Sequence, residues 1–243
     1  MKILAPAYGY PGTNRALWEG LLQAEDVLGH VIINPGSGPG ELRDPEWTRE
    51  VTALSGRGVP LLGYLNLAYS KKPMGALLAE ADLWRRWYGI VDFFLDCAPS
   101  ADVRRTAEVA EILRISARAG ELVANAGTRT SYDVAQHFDA VVEHEGYPPF
   151  AHAGPEVLEF WLREHRDADD GGRDVSTGRS WIVYGADVAV ARTTLESARA
   201  AGVHEIWLTD SNGANPYRDL PSYWPWLLEQ LSHIEDRDDV DRL

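Results

Sequence analysis

A carboxylate and the only thiol of the chain stand side by side at the end of an apolar stretch. Asp96 and Cys97 follow residues 91–95, of which four are apolar or aromatic. Such a run is typical of a strand that is buried on both faces of a parallel sheet. Pro99 and Ser100 then predict the end of the strand and the N-cap of a helix. Because folds built from strand–helix repeats handle substrates at the carboxyl ends of their strands, chemistry is expected at Asp96 and Cys97.

A second carboxylate would allow acid–base chemistry on a glycosidic bond, and Glu143 is the candidate. In that reaction one carboxyl group protonates the leaving oxygen, and the other acts as base or nucleophile. Glu143 ends the predicted sixth strand, as Asp96 ends the fourth. Such carboxylates can instead cap a neighbouring helix or pair with an arginine such as Arg129. Glu145 would point to the same side as Glu143 if the strand continued that far, so the choice between the two glutamates stays open.

Strand-like and helix-like segments alternate along the whole chain. Eight such alternations in 243 residues, without a tandem repeat, favour a closed parallel barrel over an open doubly wound sheet. We therefore predict an α/β fold, a single (β/α)8 TIM barrel over residues 1–234 with its site at the C-terminal face. A helix is expected at 155–165, a polar surface excursion at 166–179, and an acidic, disordered tail at 235–243. The predicted strands are 2–8, 31–34, 59–67, 91–96, 122–125, 140–143, 181–184 and 205–210.

A closed barrel would gather the residues at its strand ends around one opening. These residues include carboxylates, amides and tyrosines but no lysine, which suits a neutral, hydroxyl-rich or amide-bearing ligand better than a phosphorylated one. Sugars fit that description, so a carbohydrate is the predicted substrate or ligand. The residues expected at the opening are Tyr8, Tyr10, Asn34, Tyr64, Asn66, Asp96, Cys97, Asn125, Glu143, Glu145, Tyr184, Thr209 and Asp210.

Charge and hydropathy argue against several other partners. A formal net charge of -14 repels phosphate backbones and anionic lipids, so neither nucleic acid nor a membrane surface is expected to bind. No apolar run approaches the ~20 residues that span a bilayer, and no signal-peptide pattern follows Met1. As it stands, the chain is expected in the cytoplasm; it would be a secreted protein if a signal peptide had been removed. The oligomeric state is left undetermined.

Other motifs indicate no cofactor and no metal. The loop Gly36–Gly40 lacks the Gly-Lys-Ser/Thr ending of a phosphate loop, and Pro39 removes a backbone donor. His144 lies between two glutamates but belongs to no His-Glu-x-x-His pattern, so a surface or hydrogen-bonded histidine is favoured over a ligand. With Cys97 as the single cysteine, neither an intrachain disulfide nor a thiolate metal cluster can form.

Short motifs near the predicted strand ends extend over almost the whole chain. They are Pro6-Ala7-Tyr8-Gly9-Tyr10-Pro11-Gly12, Ile33-Asn34-Pro35-Gly36-Ser37-Gly38-Pro39-Gly40, Gly63-Tyr64 with Tyr69 and Pro73, Phe94-Leu95-Asp96, Asn125-Ala126-Gly127, Thr209-Asp210, Asn215-Pro216-Tyr217 and Leu220-Pro221-Ser222-Tyr223-Trp224. Together these motifs resemble the spherulation-specific family 4, the spherulin 4-like proteins. The resemblance implies a TIM-type barrel. For characterised fungal relatives it implies hydrolysis of galactosaminogalactan, an N-acetylgalactosamine-containing polymer, and it also implies kinship with bacterial barrels that cut amino-sugar exopolysaccharides.

The resemblance also implies a set of site residues, with one departure. In that family the fourth strand typically ends Asp-Glu, and an acidic residue after the sixth strand completes the site. Asp96 matches the aspartate, Glu143 is the best match to the later glutamate, and Cys97 stands where the paired glutamate belongs. These three are the predicted catalytic residues, and Tyr69 joins the predicted substrate-binding residues. A thiol is mostly neutral at pH 7 and has no second oxygen, so it cannot replace a carboxylate.

Three functions follow from this pattern. The first is a glycoside hydrolase that acts on a galactosamine- or N-acetylgalactosamine-containing polysaccharide or oligosaccharide. The second is a barrel that still binds carbohydrate but lost hydrolysis at Cys97. The third is a cytoplasmic thiol enzyme for a small metabolite, which the neighbouring Asp96 disfavours because a carboxylate raises the pKa of a thiol.

Overall fold

Eight parallel strands form a closed barrel. The computed structural model describes residues 1–128, 130–148 and 177–232. Each strand pairs in parallel with its neighbours in sequence, and β1 closes the ring with β8. The predicted α/β class and the (β/α)8 TIM barrel are confirmed. The strands are β1 (Lys2–Ala7), β2 (Leu28–Ile33), β3 (Leu61–Asn66), β4 (Asp92–Asp96), β5 (Leu122–Asn125), β6 (Ala140–Gly146), β7 (Gly178–Val183) and β8 (Glu205–Leu208).

The described helices follow their strands around the outside of the barrel. They are α1 (Arg15–Leu22), α2 (Pro45–Gly56), α3 (Met74–Tyr88), α4 (Val103–Ser116), α5 (Tyr132–Ala135), α6 (Val188–Ala200) and α7 (Trp224–Ser232), with a 3-10 turn at Glu25–Val27 before β2.

Several local predictions differ from the structure, and others fall outside it. Among the strands, β2 begins at Leu28 rather than at 31, β6 continues to Gly146 rather than ending at 143, and β8 ends at Leu208 rather than at 210. Asp102, rather than Ser100, caps α4, because its carboxylate accepts from the Arg105 backbone N–H at 3.0 Å. Gly178 and Arg179 open β7 and so do not belong to the predicted surface excursion. The predicted helix at 155–165, the rest of that excursion, Arg129 and the tail at 235–243 lie outside the described residues.

Buried indole rings lock the helices onto the strands that carry the site. Trp84 of α3 is fully buried, and its indole N–H donates to the backbone carbonyl of Tyr64 at 3.0 Å. Gly63 makes this close packing possible, since a Cβ at that position would lie 2.8 Å from the Trp84 ring. The backbone of β3 is therefore held firmly where Tyr64 turns into the barrel.

An ion-pair network of His30, Glu205 and Glu121, here called the charged clamp, lies at the end of the barrel where the strands begin. His30 of β2 contacts Glu205 of β8 through Nδ1 at 2.9 Å and Glu121, beside β5, through Nε2 at 3.0 Å. Burial alone would lower the pKa of His30, but the hydrogen bonds and charges of both glutamates raise it to about 10. His30 also lowers the pKa of Glu121. The imidazolium is therefore part of the folded structure at neutral pH.

Replacement of His30 is expected to destabilise the fold in a pH-dependent way. His30→Ala leaves Glu205 buried without its cation, which costs about 3 kcal/mol of unfolding free energy. The folded state keeps the proton up to about pH 10, whereas the unfolded chain loses it near 6.5. The stabilisation is therefore complete below about pH 6.5 and falls as the pH rises toward 10. It also falls at acid pH, as Glu121 becomes protonated.

Urea unfolding from pH 4 to 10 measures this difference. His30→Gln keeps a hydrogen-bonding side chain but cannot carry the charge, so near pH 6 it should also lose unfolding free energy relative to the native protein. A cost of His30→Ala that stays constant between pH 6 and 10 would contradict the charged clamp.

Candidate active site

Two carboxylates share a single amide at the mouth of the barrel. Asn125, at the end of β5, donates through Nδ2 to Asp96 Oδ1 at 3.0 Å and to Glu145 Oε2 at 2.6 Å. Its own Oδ1 accepts from the Gly127 backbone N–H at 3.0 Å, which fixes the orientation of the amide. The two carboxylate oxygens are therefore at most about 5.6 Å apart, the length of both hydrogen bonds laid end to end. Neighbouring strands β4, β5 and β6 thus bring Asp96, Asn125 and Glu145 together.

Each carboxylate also accepts a hydrogen bond from a tyrosine. Tyr64 donates to Asp96 Oδ2 at 2.5 Å, and Tyr217 donates to Glu145 Oε1 at 2.6 Å. Burial first, and then the neighbouring carboxylates, raise the pKa of both tyrosines, so both hydroxyls stay protonated as donors. Tyr8 packs edge-on against Tyr64 and Tyr217, with ring centroids 6.1 and 5.4 Å apart. The tyrosine rings therefore surround the two carboxylates, and the hydrogen bonds from Tyr64 and Tyr217 fix the orientation of each carboxylate.

Cys97 lies beside Asp96 on a strained backbone. Its Sγ is 3.8 Å from Asp96 Oδ2, and its φ of 50° is in the left-handed region. Burial, followed by the charge of Asp96, raises the pKa of the thiol, and Tyr69 and Asn66 are also within its hydrogen-bonding reach. The Cys97 carbonyl accepts from the Tyr69 backbone N–H at 2.8 Å. The thiol is thus held neutral next to a carboxylate, which opposes its use as a nucleophile.

Glu143 is separated from this cluster by a register shift in β6. The pairing with β7 shifts between Val142 and His144, so Glu143 is the extra residue of the strand. Its Oε1 accepts from Arg179 Nε at 2.8 Å, and its Oε2 lies 3.4 Å from Trp181 Nε1. The expectation that Glu143 and Glu145 share one side is therefore wrong, because one additional residue reverses the alternation of the strand. Glu143 forms an ion pair with Arg179, whereas Glu145 and Asp96 both accept from the Asn125 amide.

Two of the asparagines predicted at the opening accept hydrogen bonds from backbone N–H groups of the loops that follow them. Asn66 donates to the Tyr64 hydroxyl at 3.3 Å, and its Oδ1 accepts from the Ala68 N–H at 2.7 Å. It therefore supports the carboxylate cluster from β3. Asn34 accepts from the Gly38 N–H at 3.0 Å and so holds its own glycine-rich loop.

The remaining predicted tyrosines lie around the cluster. Tyr184, after β7, packs on Tyr147 at 4.8 Å and on Tyr217 at 6.3 Å between ring centroids. Tyr69 is exposed above Cys97, and Tyr10 lines a separate cavity beside the glycine-rich loop. Only Tyr184 and Tyr69 therefore extend the aromatic wall next to the carboxylates.

The last two strand-end residues bind their own chain. Asp210 accepts from the Ser222 backbone N–H at 3.0 Å. Burial alone would raise the pKa of Asp210, but hydrogen bonds from the Ser222 backbone and side chain lower it. Thr209 is fully buried and accepts from the Ser211 N–H. Both stabilise the loop that carries Tyr217.

Tyr217 is the site residue that the strand pattern missed. It lies on the loop after β8, well beyond the strand end, and Asn215 Oδ1 accepts from its backbone N–H at 3.1 Å. The motif Asn215-Pro216-Tyr217 was visible as part of the family resemblance, and that was the only sequence signal for this residue. Its contact with Glu145 depends on how the loop folds over the barrel.

The described residues contain no cluster of histidine, cysteine and carboxylate side chains that could hold a metal ion. His144 contacts the Tyr147 carbonyl through Nε2 at 3.1 Å. Within the same ranges, no helix is both long and apolar enough to cross a membrane.

The closed ring of eight parallel strands defines a (β/α)8 TIM barrel, and Asp96 and Glu145 lie together at the carboxyl ends of its strands. The sequence matches the spherulation-specific family 4 over residues 2–231, and the chain belongs to that family. Spherulin-4 of Physarum polycephalum is 32% identical over 105 residues, which is 42% of this chain and 31% of that protein. The match therefore spans about a third of the length of this curated relative.

Solved structures support the same fold. Sph3 of Aspergillus clavatus, solved in complex with GalNAc, superposes with a TM-score of 0.78 at 22% identity, covering 95% of this chain and 97% of that chain. A domain of the Pyrococcus furiosus chitinase, complexed with chito-oligosaccharides, gives 0.60 at 11% identity, covering 95% and 94%. The glycoside hydrolase domain of PelA from Pseudomonas aeruginosa gives 0.52 at 16% identity, covering 84% and 93%.

Proposed function

We propose that this protein is a glycoside hydrolase that cleaves polymers or oligomers containing galactosamine or N-acetylgalactosamine, with Asp96 and Glu145 as its catalytic carboxylates. The Asn125 amide, which ties the two carboxylates together, is the observation that carries the proposal. The sugar class is supported by the similar barrel of Sph3, whose structure contains GalNAc. Glu145 takes the role that the sequence pattern gave to Glu143.

Two carboxylates joined through one amide are compatible with hydrolysis with retention of the anomeric configuration. Retaining enzymes keep their two carboxyl groups about 5 to 5.5 Å apart, whereas inverting enzymes need about 6.5 to 9.5 Å for an intervening water. The bonds through Asn125 limit one pair of carboxylate oxygens to about 5.6 Å, which is compatible with the shorter spacing of the carboxyl groups. One carboxylate attacks the anomeric carbon while the other protonates the departing oxygen. Water then cleaves the glycosyl ester, and the second group takes up its proton.

The tyrosine donors have a defined part in this scheme. Tyr64 donates to Asp96 Oδ2 and Tyr217 to Glu145 Oε1, and Asn125 donates to the other oxygen of each carboxylate. Each carboxylate is therefore held in one orientation and contacts the sugar through its remaining lone pairs. Because burial and the nearby carboxylates raise the pKa of both tyrosines, their hydroxyls remain hydrogen-bond donors and do not compete as bases.

A second function is favoured by Cys97. The thiol stands where the family resemblance implies a glutamate, and burial beside Asp96 keeps it neutral. In this alternative the barrel binds an amino-sugar chain without cleaving it. The raised pKa of Cys97 also argues against a thiol enzyme, whose nucleophile would need a lowered pKa.

Hydrolysis and binding have to be measured on the same protein. Incubation with N-acetylgalactosamine oligomers from pH 4 to 7 is expected to release reducing ends, and proton NMR of the first product should show the anomer of the substrate bond. Calorimetric titration measures binding separately. Binding without any reducing-end release would select the non-hydrolytic alternative, and absence of both would overturn the proposal.

A further inference from the structure

The loop that follows β8 is fastened to the start of α1 by the side chain of Asn14. Asn14 precedes α1, and its Oδ1 caps the helix by accepting from the Leu17 backbone N–H at 3.3 Å. The same amide donates through Nδ2 to the Arg218 backbone carbonyl at 2.5 Å and to Asp219 Oδ1 at 2.7 Å. Asn14 therefore uses its oxygen for its own helix and both of its N–H bonds for a loop 204 residues further along the chain.

Two glycines allow the loop to lie this close to β1 and α1. A Cβ at Gly9 would lie 2.4 Å from the Arg218 carbonyl oxygen and 2.8 Å from Asn14 Nδ2. On α1, a Cβ at Gly20 would lie 2.3 Å from Leu220 Cδ1. Glycine is the residue that permits such a close approach of backbone. The loop therefore depends on both glycines, as well as on Asn14, for its position.

Tyr217, the chain neighbour of Arg218, carries this contact to the carboxylate cluster. Its backbone carbonyl accepts from the Tyr8 backbone N–H at 3.2 Å, and the two rings pack edge-on with centroids 5.4 Å apart. Its hydroxyl donates to Glu145 Oε1 at 2.6 Å. One peptide unit and one tyrosine ring therefore connect Asn14 to a carboxylate of the proposed cleavage site.

We propose that Asn14 is a positioning residue for Glu145 and that it acts through Tyr217. The inference rests on the proposed function, because it gives Asn14 a part in the reaction of Glu145. Tyr217 lies on a loop, so its hydroxyl keeps a fixed place only where the loop is held from outside. Without the Asn14 amide the loop moves, and Glu145 loses the donor that fixes Oε1. Serine or aspartate also caps a helix, but neither has the N–H donors that hold the loop.

Asn14→Ser separates the capping of α1 from the link to the loop. Serine keeps an oxygen for the Leu17 N–H but has no amide that reaches Arg218. Asp102→Ser is the matched control, because Asp102 caps α4 across the barrel from β8 and serine again keeps the cap. Gly9→Ala is a second, independent variant. It leaves Asn14 in place but puts a methyl group 2.4 Å from the Arg218 oxygen, so the loop has to shift.

Fluorine NMR of protein labelled with 3-fluorotyrosine measures the environment of Tyr217 without any turnover. The Tyr217 resonance is identified by its absence in Tyr217→Phe. Because the hydroxyl donates to Glu145, Glu145→Gln should move this resonance. Asn14→Ser and Gly9→Ala should move it toward the resonance of an exposed tyrosine. Asp102→Ser should leave it unchanged.

A double-mutant cycle tests the effect on the reaction, in the more active of the native and Cys97→Glu proteins. Asn14→Ser and Tyr217→Phe should each lower kcat for amino-sugar oligomers about tenfold, the size expected for one hydrogen bond to a charged group. KM should stay within about twofold. The double variant should be no slower than either single one, because Asn14 acts through Tyr217. Thermal unfolding of Asn14→Ser should match that of Asp102→Ser.

The outcomes separate this inference from the proposed function. A Tyr217 resonance that does not move in Asn14→Ser and Gly9→Ala would overturn the positioning role and leave the proposed hydrolysis intact. Losses of kcat that multiply in the double variant would overturn the route through Tyr217. If the resonance moves but neither the native nor the Cys97→Glu protein releases reducing ends, the link from Asn14 to Glu145 stands and the proposed function fails.

Discussion

Cys97→Glu is expected to raise kcat/KM for amino-sugar oligomers by about 10² to 10⁴, the usual contribution of a positioned acid or base. The family resemblance implies a glutamate directly after the aspartate of the fourth strand, and Cys97 occupies that position. Its Sγ is 3.8 Å from Asp96 Oδ2, so a longer carboxylate side chain would begin within the cluster. A third negative charge should also shift the pH optimum upward, because like charges raise the pKa of each carboxyl group.

Cys97→Gln is the matched control, since it has the size of glutamate without its charge. Both variants keep a non-glycine residue at a φ of 50°, so backbone strain is the same in each. The gain should appear only with glutamate, in initial rates of reducing-end release from pH 4 to 8. An unchanged rate in a Cys97→Glu protein of normal thermal stability would show that the missing carboxylate does not limit activity.

Glu145→Gln is expected to lower kcat by about 10³ or more, while oligomer affinity changes little. The substitution keeps the size of the side chain but removes the charge that accepts from Asn125 and Tyr217. Initial rates in both the native and the Cys97→Glu backgrounds would measure this loss. Calorimetry would show that binding survives.

Glu143→Gln is the informative comparison because it is two residues away in the same strand. This change weakens the ion pair with Arg179, so we expect about 1 to 2 kcal/mol of lost stability and no change in kcat. The measurements are urea unfolding and initial rates. Loss of activity in Glu143→Gln, with Glu145→Gln active, would return the catalytic role to Glu143.

The site shows where sequence reasoning succeeds. Asp96, Asn66 and Asn125 each end an apolar strand, Tyr64 lies two residues before the end of β3, and parallel strands in a barrel end on the same face. The residue types at the predicted strand ends indicated a polar, lysine-free mouth. What they could not provide was the partner of each side chain, since a strand end predicts the level of a residue in the barrel but not its hydrogen bonds.

Several residues predicted at the opening form hydrogen bonds with their own loops or line another cavity. Asn34 and Asp210 bind backbone N–H groups of nearby loops, and Tyr10 lines a neighbouring cavity. Short polar side chains after a strand can equally well bind a ligand or cap a turn. The residue type is the same in both cases, so only the course of the loop separates them.

The order of apolar strands and helices in this chain was enough to determine the closed barrel and the face on which its site lies, because each strand needs helices to cover it and each parallel connection returns to the same side. Only the tertiary structure shows that Glu145 bonds Asn125 whereas Glu143 bonds Arg179. One extra residue in the pairing of β6 with β7 reverses which side chains point inward, and the Arg179 ion pair holds Glu143 outside the cluster. Neither the shift nor the pair leaves a mark in the local hydrophobic pattern, since both depend on strands that lie more than thirty residues apart in the chain.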